Sequence, residues 1–264
     1  MGSMKLAGAG LAVILAVGVV AQGEPITVKH TLGAERGFLV IRSETGKTLG
    51  DGELVQYATG DEVHTRLTYR FLDGSVDEET TVFRQHGTFQ LVRDQHVQRG
   101  PFFKEDTDIT VDAPSGMVTV KTTNKKGETK TESNHMDLPN DVANGMVGSL
   151  VLNVNRDAAF SVGMVATTSK GRLIRLDFTS TGEQRFLIAG RARKATVFRI
   201  HPNLGGVAAV IAPIIDKQPK DIMLWVLEGE VPAFIREVGQ LSEGGPVVSI
   251  EFAGTSFGRG SRKK

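Results

Sequence analysis

The chain has 264 residues, 40% of them hydrophobic and 23% charged, with a net charge of +1. That balance suits a chain able to build a sizeable core and excludes a disordered one; near-neutrality gives no footing for general nucleic-acid binding. There is no cysteine, so disulfides, a thiol nucleophile and a lipid-modified N-terminal cysteine are all excluded.

Residues 1–23 read as a secretory signal. Lys5 supplies the positive start, Leu6 to Val20 the apolar stretch, and Ala21-Gln22-Gly23 a small-x-small cleavage site. The apolar run, about 15 residues, falls short of the ~20 that span a bilayer. The expectation is a periplasmic or secreted protein with no stable membrane span after cleavage. Its mature part would be one β-rich domain over residues 24–254, followed by a flexible basic tail, 255–264, carrying Arg259, Arg262, Lys263 and Lys264.

Residues 24 to 103 read as successive hairpins. Phe38 to Arg42 is a strand with its turn at Glu44-Thr-Gly-Lys47, and Gly52 to Thr59 follows. In Val63 to Phe71 the residues Val63, Leu67, Tyr69 and Phe71 share one face, and His64, Arg66, Thr68 and Arg70 the other. Such a split marks an antiparallel strand with one dry side. Turns at Asp73-Gly74 and His86-Gly87 set off Glu79 to Gln85 and Thr88 to Val92. Ile109 to Asp112 and Met117 to Thr123 flank Ala113-Pro-Ser-Gly116. A polar strand, Glu128 to Met136, comes next, as expected of a protected sheet edge.

A helix is expected near residues 140–153. Asn140 or Asp141 offers a cap, Val142, Met146 and Leu150 lie four apart, and Gly145, Gly148, Ser149 and Leu152 form a small-residue stripe for close packing on a sheet. After it, Gly171 to Phe178 is a strand, Thr181-Gly182 a turn, and Gln184 to Ala189 and Ala195 to Ile200 are strands. Leu204 to Ile215 and Ile222 to Leu227 are apolar on both faces and so need cover on both. Ala233 to Val238 and Pro246 to Phe252 close the series. The fold expected is all-β in the main: a large antiparallel barrel or half-barrel with one central helix.

Motifs for chemistry are absent: no Gly-x-Ser-x-Gly elbow, no phosphate-binding loop, no His-Glu-x-x-His. The six histidines, His30, His64, His86, His96, His135 and His201, have no spacing that forces a metal site. A metal site would need His64 and His96 to come together with Glu78 or Glu79, and a histidine–carboxylate site would need His64 or His96 within hydrogen-bond reach of an acidic partner in a cleft. The run Asp77-Glu78-Glu79 reads as an acidic hairpin shoulder. No metal and no cofactor is expected.

Several phrases occur in a telling order: Leu72-Asp-Gly-Ser75, Val97-Gln-Arg-Gly-Pro101, Asp137-Leu-Pro139, Ala143-Asn-Gly145, Gly205 to Pro213, Lys217 to Ile222 and Gly244 to Phe252. Together they resemble an uncharacterised family of exported bacterial proteins, a domain of unknown function. The resemblance implies one domain and an envelope or secreted setting, and brings no functional residue with it. The leading functional expectation is non-catalytic binding of a lipid or other hydrophobic small molecule, lined by Met146, Leu150, Met164, Phe178, Met223 and Trp225. The alternatives are a structural or protein-interaction β module and a hydrolase with a histidine–carboxylate site.

Overall fold

The structure is a computed structural model, and it describes residues 23–157, 159–166, 171–205, 219–253 and 255–256. The expected signal segment up to residue 22, most of the expected strand 204–215 and the tail beyond 256 lie outside the described residues.

Hairpin follows hairpin through the first half: β1 (Glu35–Ser43), β2 (Thr48–Thr59), β3 (Glu62–Phe71), β4 (Val76–His86), β5 (Thr88–Arg99), β6 (Asp106–Asp112), β7 (Met117–Thr123) and β8 (Thr129–His135). A short helix, α1 (Val147–Val151), then precedes β9 (Phe160–Ala166), β10 (Arg172–Ile188), β11 (Arg191–Asn203), β12 (Ile222–Leu227), β13 (Ala233–Gln240), β14 (Val247–Phe252) and β15 (Thr255–Ser256). All fifteen strands belong to one sheet in the order β15-β10-β11-β12-β13-β14-β1-β2-β3-β4-β5-β6-β7-β8, with β9 on the same edge of β10 as β15. The β1–β14 ladder joins the two halves of the chain. Gln98 on β5 donates to the Leu241 carbonyl beyond β13, so the sheet curls until β13 faces β4 and β5. At the other seam Gly171, next to β10, lies so near β7 that a Cβ would stand 2.9 Å from Val118 Cγ1. Among the described residues no ladder joins β8 to β9, so the barrel is approached but not closed.

Two sequence expectations change. The turn expected at Thr181-Gly182 is a bulge inside one long strand: the β10–β11 register shifts between Ser180 and Gly182, where Gly182 takes φ +116°. An extra residue with positive φ bends a strand without ending it, and the chain turns instead at Ala189-Gly190. The helix expected near 140–153 is present but is a single turn, 147–151, with no side-chain cap. Gly145, at φ +66°, breaks helical geometry before it. Upstream, the chain runs beside the free edge of β9. Val142 bridges Gly163, Ala143 N–H donates to the Gly163 carbonyl (2.8 Å), and Asn144 both accepts from Val165 N–H (2.8 Å) and donates to its carbonyl (2.9 Å). Residues 141–144 thus satisfy an edge that would otherwise be left open.

The main apolar cluster lies inside the curl and takes residues from β3 to β7 and from β9 to β12. Its centre is filled from residues 142–151: Val142, Ala143, Met146, Leu150 and Val151 are all buried there. A second interior cluster, Leu39, Ile41, Tyr69, Phe71, Phe103, Val248 and Ile250, fills the opposite end. Strand β12 is apolar on both faces, as expected. Leu224 and Val226 join the main cluster, while Trp225 joins Phe186, Ala195, Val197 and Ile235 in a third, with Met223 against it.

Candidate functional site

Between the two interior clusters lies a polar layer built by cross-strand register. Tyr69, Asp77 and Gln98 pair in a row across β3, β4 and β5; Leu67, Glu79 and His96 form the next row, and Thr65, Thr81 and Asp94 the third. Since alternate strand residues share a face, Asp77, Glu79 and Thr81 point the same way as Phe83, into the core. From across the curl β13 adds Glu237, which pairs with Leu224 and Ile250, both interior.

His96 Nε2 lies 2.7 Å from Asp77 Oδ1, and Gln98 Nε2 donates to Asp77 Oδ2 at 2.8 Å. Thr81 donates to Asp94 Oδ1 (2.8 Å), whereas Asp94 Oδ2, on a fully buried residue, has no hydrogen-bond partner. The His96 side chain keeps 24% of its surface open while Asp77 keeps 4%. His96, Glu79 and Glu237 point into the curl, and each keeps part of its surface accessible.

The layer's electrostatics follow from this enclosure. Burial raises Glu79, with Asp77 adding to it and His96 opposing. Burial raises Asp94 further, helped by Glu79 and opposed by the Thr81 hydrogen bond. Glu237 is pushed up to about 7 by burial and by the charges of Glu79 and Asp77. For His96 burial alone would disfavour the cation, but Asp77, then Glu79 and Asp94, outweigh it and lift its pKa to about 10. That lift favours the imidazolium form of His96, held by the Asp77 carboxylate. The hydroxyl next to the carboxylates, that of Thr81, is engaged as a donor to Asp94. Four carboxyl groups facing one internal cation make a layer suited to holding positive charge. Among the described residues no three His, Asp or Glu side chains converge as a metal site.

The segment with α1 sits directly on this layer. A Cβ on Gly145 would fall onto Thr81 Oγ1 and 2.6 Å from Asp94 Oδ1, so only glycine permits the approach. On either side of residues 145–152 stand two asparagine anchors. Asn144 is bonded to Val165, and Asn153 Oδ1 accepts from the backbone N–H groups of Lys29 (2.9 Å) and His30 (2.7 Å). Upstream, Asp141 pairs with Arg175 at 2.7 Å, its side chain 1% exposed. A small cavity of about 50 Å³ flanks α1, between Val151 and Leu152 on one side and Phe198 and Val226 on the other.

Of the six residues expected to line a ligand site, Met146, Leu150 and Phe178 meet in the main cluster with Met164 packed against it. Met223 and Trp225 lie on the other face of β12, where Trp225 Nε1 donates to Gln184 (2.6 Å). His64 points away from the interior, stacked on Tyr57 at 4.8 Å and 3.0 Å from Glu62, so it does not join His96. The acidic shoulder reading holds for Glu78 alone, whose Oε2 accepts from Thr68; Asp77 and Glu79 turn inward. Asp94 and Glu237 escaped the sequence reading. No local pattern marks them, because each lies beside a bulge that resets strand parity, at Val82/Phe83 for Asp94 and at Trp225/Val226 for Glu237.

Fold and site together describe a barrel-like antiparallel sheet with its own segment plugged into an interior that carries an acidic layer. No family model and no curated protein matches the sequence. Among solved structures the chain is similar to the crystal structure of a β-barrel-like protein of the domain of unknown function DUF1849 from Brucella abortus. The TM-score is 0.46 and the identity 9%, over 86% of this chain and 99% of that one. None of the described helices is long and apolar enough to cross a membrane, which leaves strands aside.

Proposed function

We propose that the protein is a non-catalytic binding protein of the bacterial envelope, periplasmic or secreted, that takes the hydrophobic part of a lipid-like ligand into the space now filled by residues 145–152. The observation that carries this reading is the origin of the filling. The centre of the main cluster is occupied by Met146, Leu150 and Val151 from one short segment held between two anchors, Asn144 and Asn153. With the segment in place the cavity beside α1, about 50 Å³, is well below the ~300–1,000 Å³ of small-molecule sites. Binding therefore requires the segment to swing out, and several features favour that movement. Its helix is one turn long and lacks a side-chain cap, a length that is marginal without tertiary packing. Gly145 supplies a pivot of positive φ at one end. Asn144 keeps β9 covered and Asn153 stays tied to the Lys29 and His30 backbone while the residues between them move.

Fluorescence of the apolar dye 1-N-phenylnaphthylamine tests the reading. The wild-type protein should bind the dye, dodecanol should displace it, and Met146→Ala, which shortens the resident side chain, should bind several-fold more tightly. Failure of both proteins to bind dye, together with no lipid on the native protein by mass spectrometry, would sink the proposal.

A further inference from the structure

The polar layer below residues 145–152 indicates which kind of head group the ligand carries. We propose that the interior site recognises a cationic head, a primary ammonium or guanidinium, through Asp94, Glu79 and Glu237. This inference rests on the binding reading above and specifies its ligand.

Three observations support it. The first is an acceptor without a donor: Asp94 Oδ2 belongs to a fully buried residue and has no partner, although Oδ1 of the same carboxyl is served by Thr81. A buried acceptor left unmade is costly, and a donor arriving with a ligand would satisfy it. Position is the second. Gly145 lies against Asp94 and Thr81, and the next residue, Met146, is in the apolar cluster. A ligand replacing this segment would set its apolar body where Met146 and Leu150 now lie and its head at Asp94. The third is the balance of groups. Into the curl point Asp77, Glu79, Asp94 and Glu237, with His96 the one histidine of this layer among the described residues, and Asp77 is already committed to His96 and Gln98. That leaves Glu79, Asp94 and Glu237 for an added cation. The carboxyls come from three strands and do not converge as a metal site among the described residues. Their spread suits a hydrogen-bonding organic cation with several donors rather than a bare ion, which needs its oxygens gathered within ~2.6 Å of one point.

Burial raises Glu237 to about 7, so near neutral pH it holds a proton in part of the molecules, and an incoming cation beside it would expel that proton. Binding of a cationic amphiphile should consequently release protons at neutral pH, and binding of a neutral one should not.

Dodecylamine, dodecanol and dodecanoate, each below its micellar concentration, form the test set. Displacement of 1-N-phenylnaphthylamine is measured for the wild type, Asp94→Asn and Glu237→Gln, with calorimetry in two buffers of different ionisation heat to count protons. Dodecylamine should displace the dye at a tenfold or lower concentration than dodecanol, with proton release, and dodecanoate should be weakest. Asp94→Asn should remove the preference. If that variant does not fold, Glu237→Gln should still reduce both the preference and the proton release. Equal displacement by all three amphiphiles would overturn the cationic head and leave the binding reading standing. Displacement by none would overturn both.

Discussion

Replacing Glu237 with glutamine should stabilise the protein at alkaline pH and leave it nearly unchanged in mild acid. Glutamine keeps the shape of the side chain and removes only its charge. Glu237 has an ordinary value of 4.5 and about 7 in the folded chain, raised by burial first and by Glu79 and Asp77 next. A group whose folded value is raised contributes stability that is full below 4.5 and lost as pH climbs through 7. At 1.36 kcal/mol per pH unit the loss amounts to about 3 kcal/mol once the carboxylate is ionised in both states. For a domain of this size each kcal/mol moves the melting temperature by about 2–4 °C, so Glu237→Gln should melt roughly 6–12 °C above wild type at pH 9. Near pH 5 the two should differ by only about 2–3 °C. Wild type itself should lose stability across the same range, because Glu79 and Asp94 are raised as well, and further toward pH 10 as His96 gives up its proton. Thermal unfolding by circular dichroism at pH 5, 7 and 9 is the assay. An equal shift at all three, or a lower melting temperature for the variant at pH 9, would refute the inward placement of Glu237.

Two further substitutions probe the neighbouring structure. Gly145→Ala meets a left-handed backbone and a Cβ collision with Thr81 and Asp94, so it should cost about 2–4 kcal/mol by urea titration; a neutral outcome would mean that the segment does not rest on the acidic layer. Arg175→Met leaves the Asp141 carboxylate, 1% exposed, without its cation. It should cost about 3–5 kcal/mol, and adding Asp141→Asn should restore part of that, whereas additive losses would contradict the pairing.

Strand patterns were largely legible because parity is local: Val63, Leu67, Tyr69 and Phe71 occupy one face in sequence and in structure. The doubly apolar Ile222–Leu227 was equally plain, with clusters on both sides of it. The helix was read too long because its apolar spacing continues through Gly145, and nothing in the spacing reveals that this residue takes positive φ. Gly182 shows the same limit, since a glycine after threonine looks alike in a turn and in a bulge. The acidic layer was the least legible part. Asp77 and Glu79 look like surface in a run of three acids, and their inward direction depends on β3 and β5 packing beside them. Asp94 faces inward after a register shift between Val82 and Phe83 that no local motif announces. Glu237 reaches the layer only through the curl of the whole sheet.

On this reading, residues 145–152 occupy the ligand's place and leave it while their anchors hold. Hydrogen exchange with and without dodecylamine tests that directly, since Leu150 N–H donates to the Met146 carbonyl and Asn153 N–H to that of Leu150. Bound amphiphile should speed exchange at Leu150 while Ala143 and Val165, stitched along β9, keep their protection. Slower or unchanged exchange at Leu150 in a protein that demonstrably holds the amphiphile would contradict the claim.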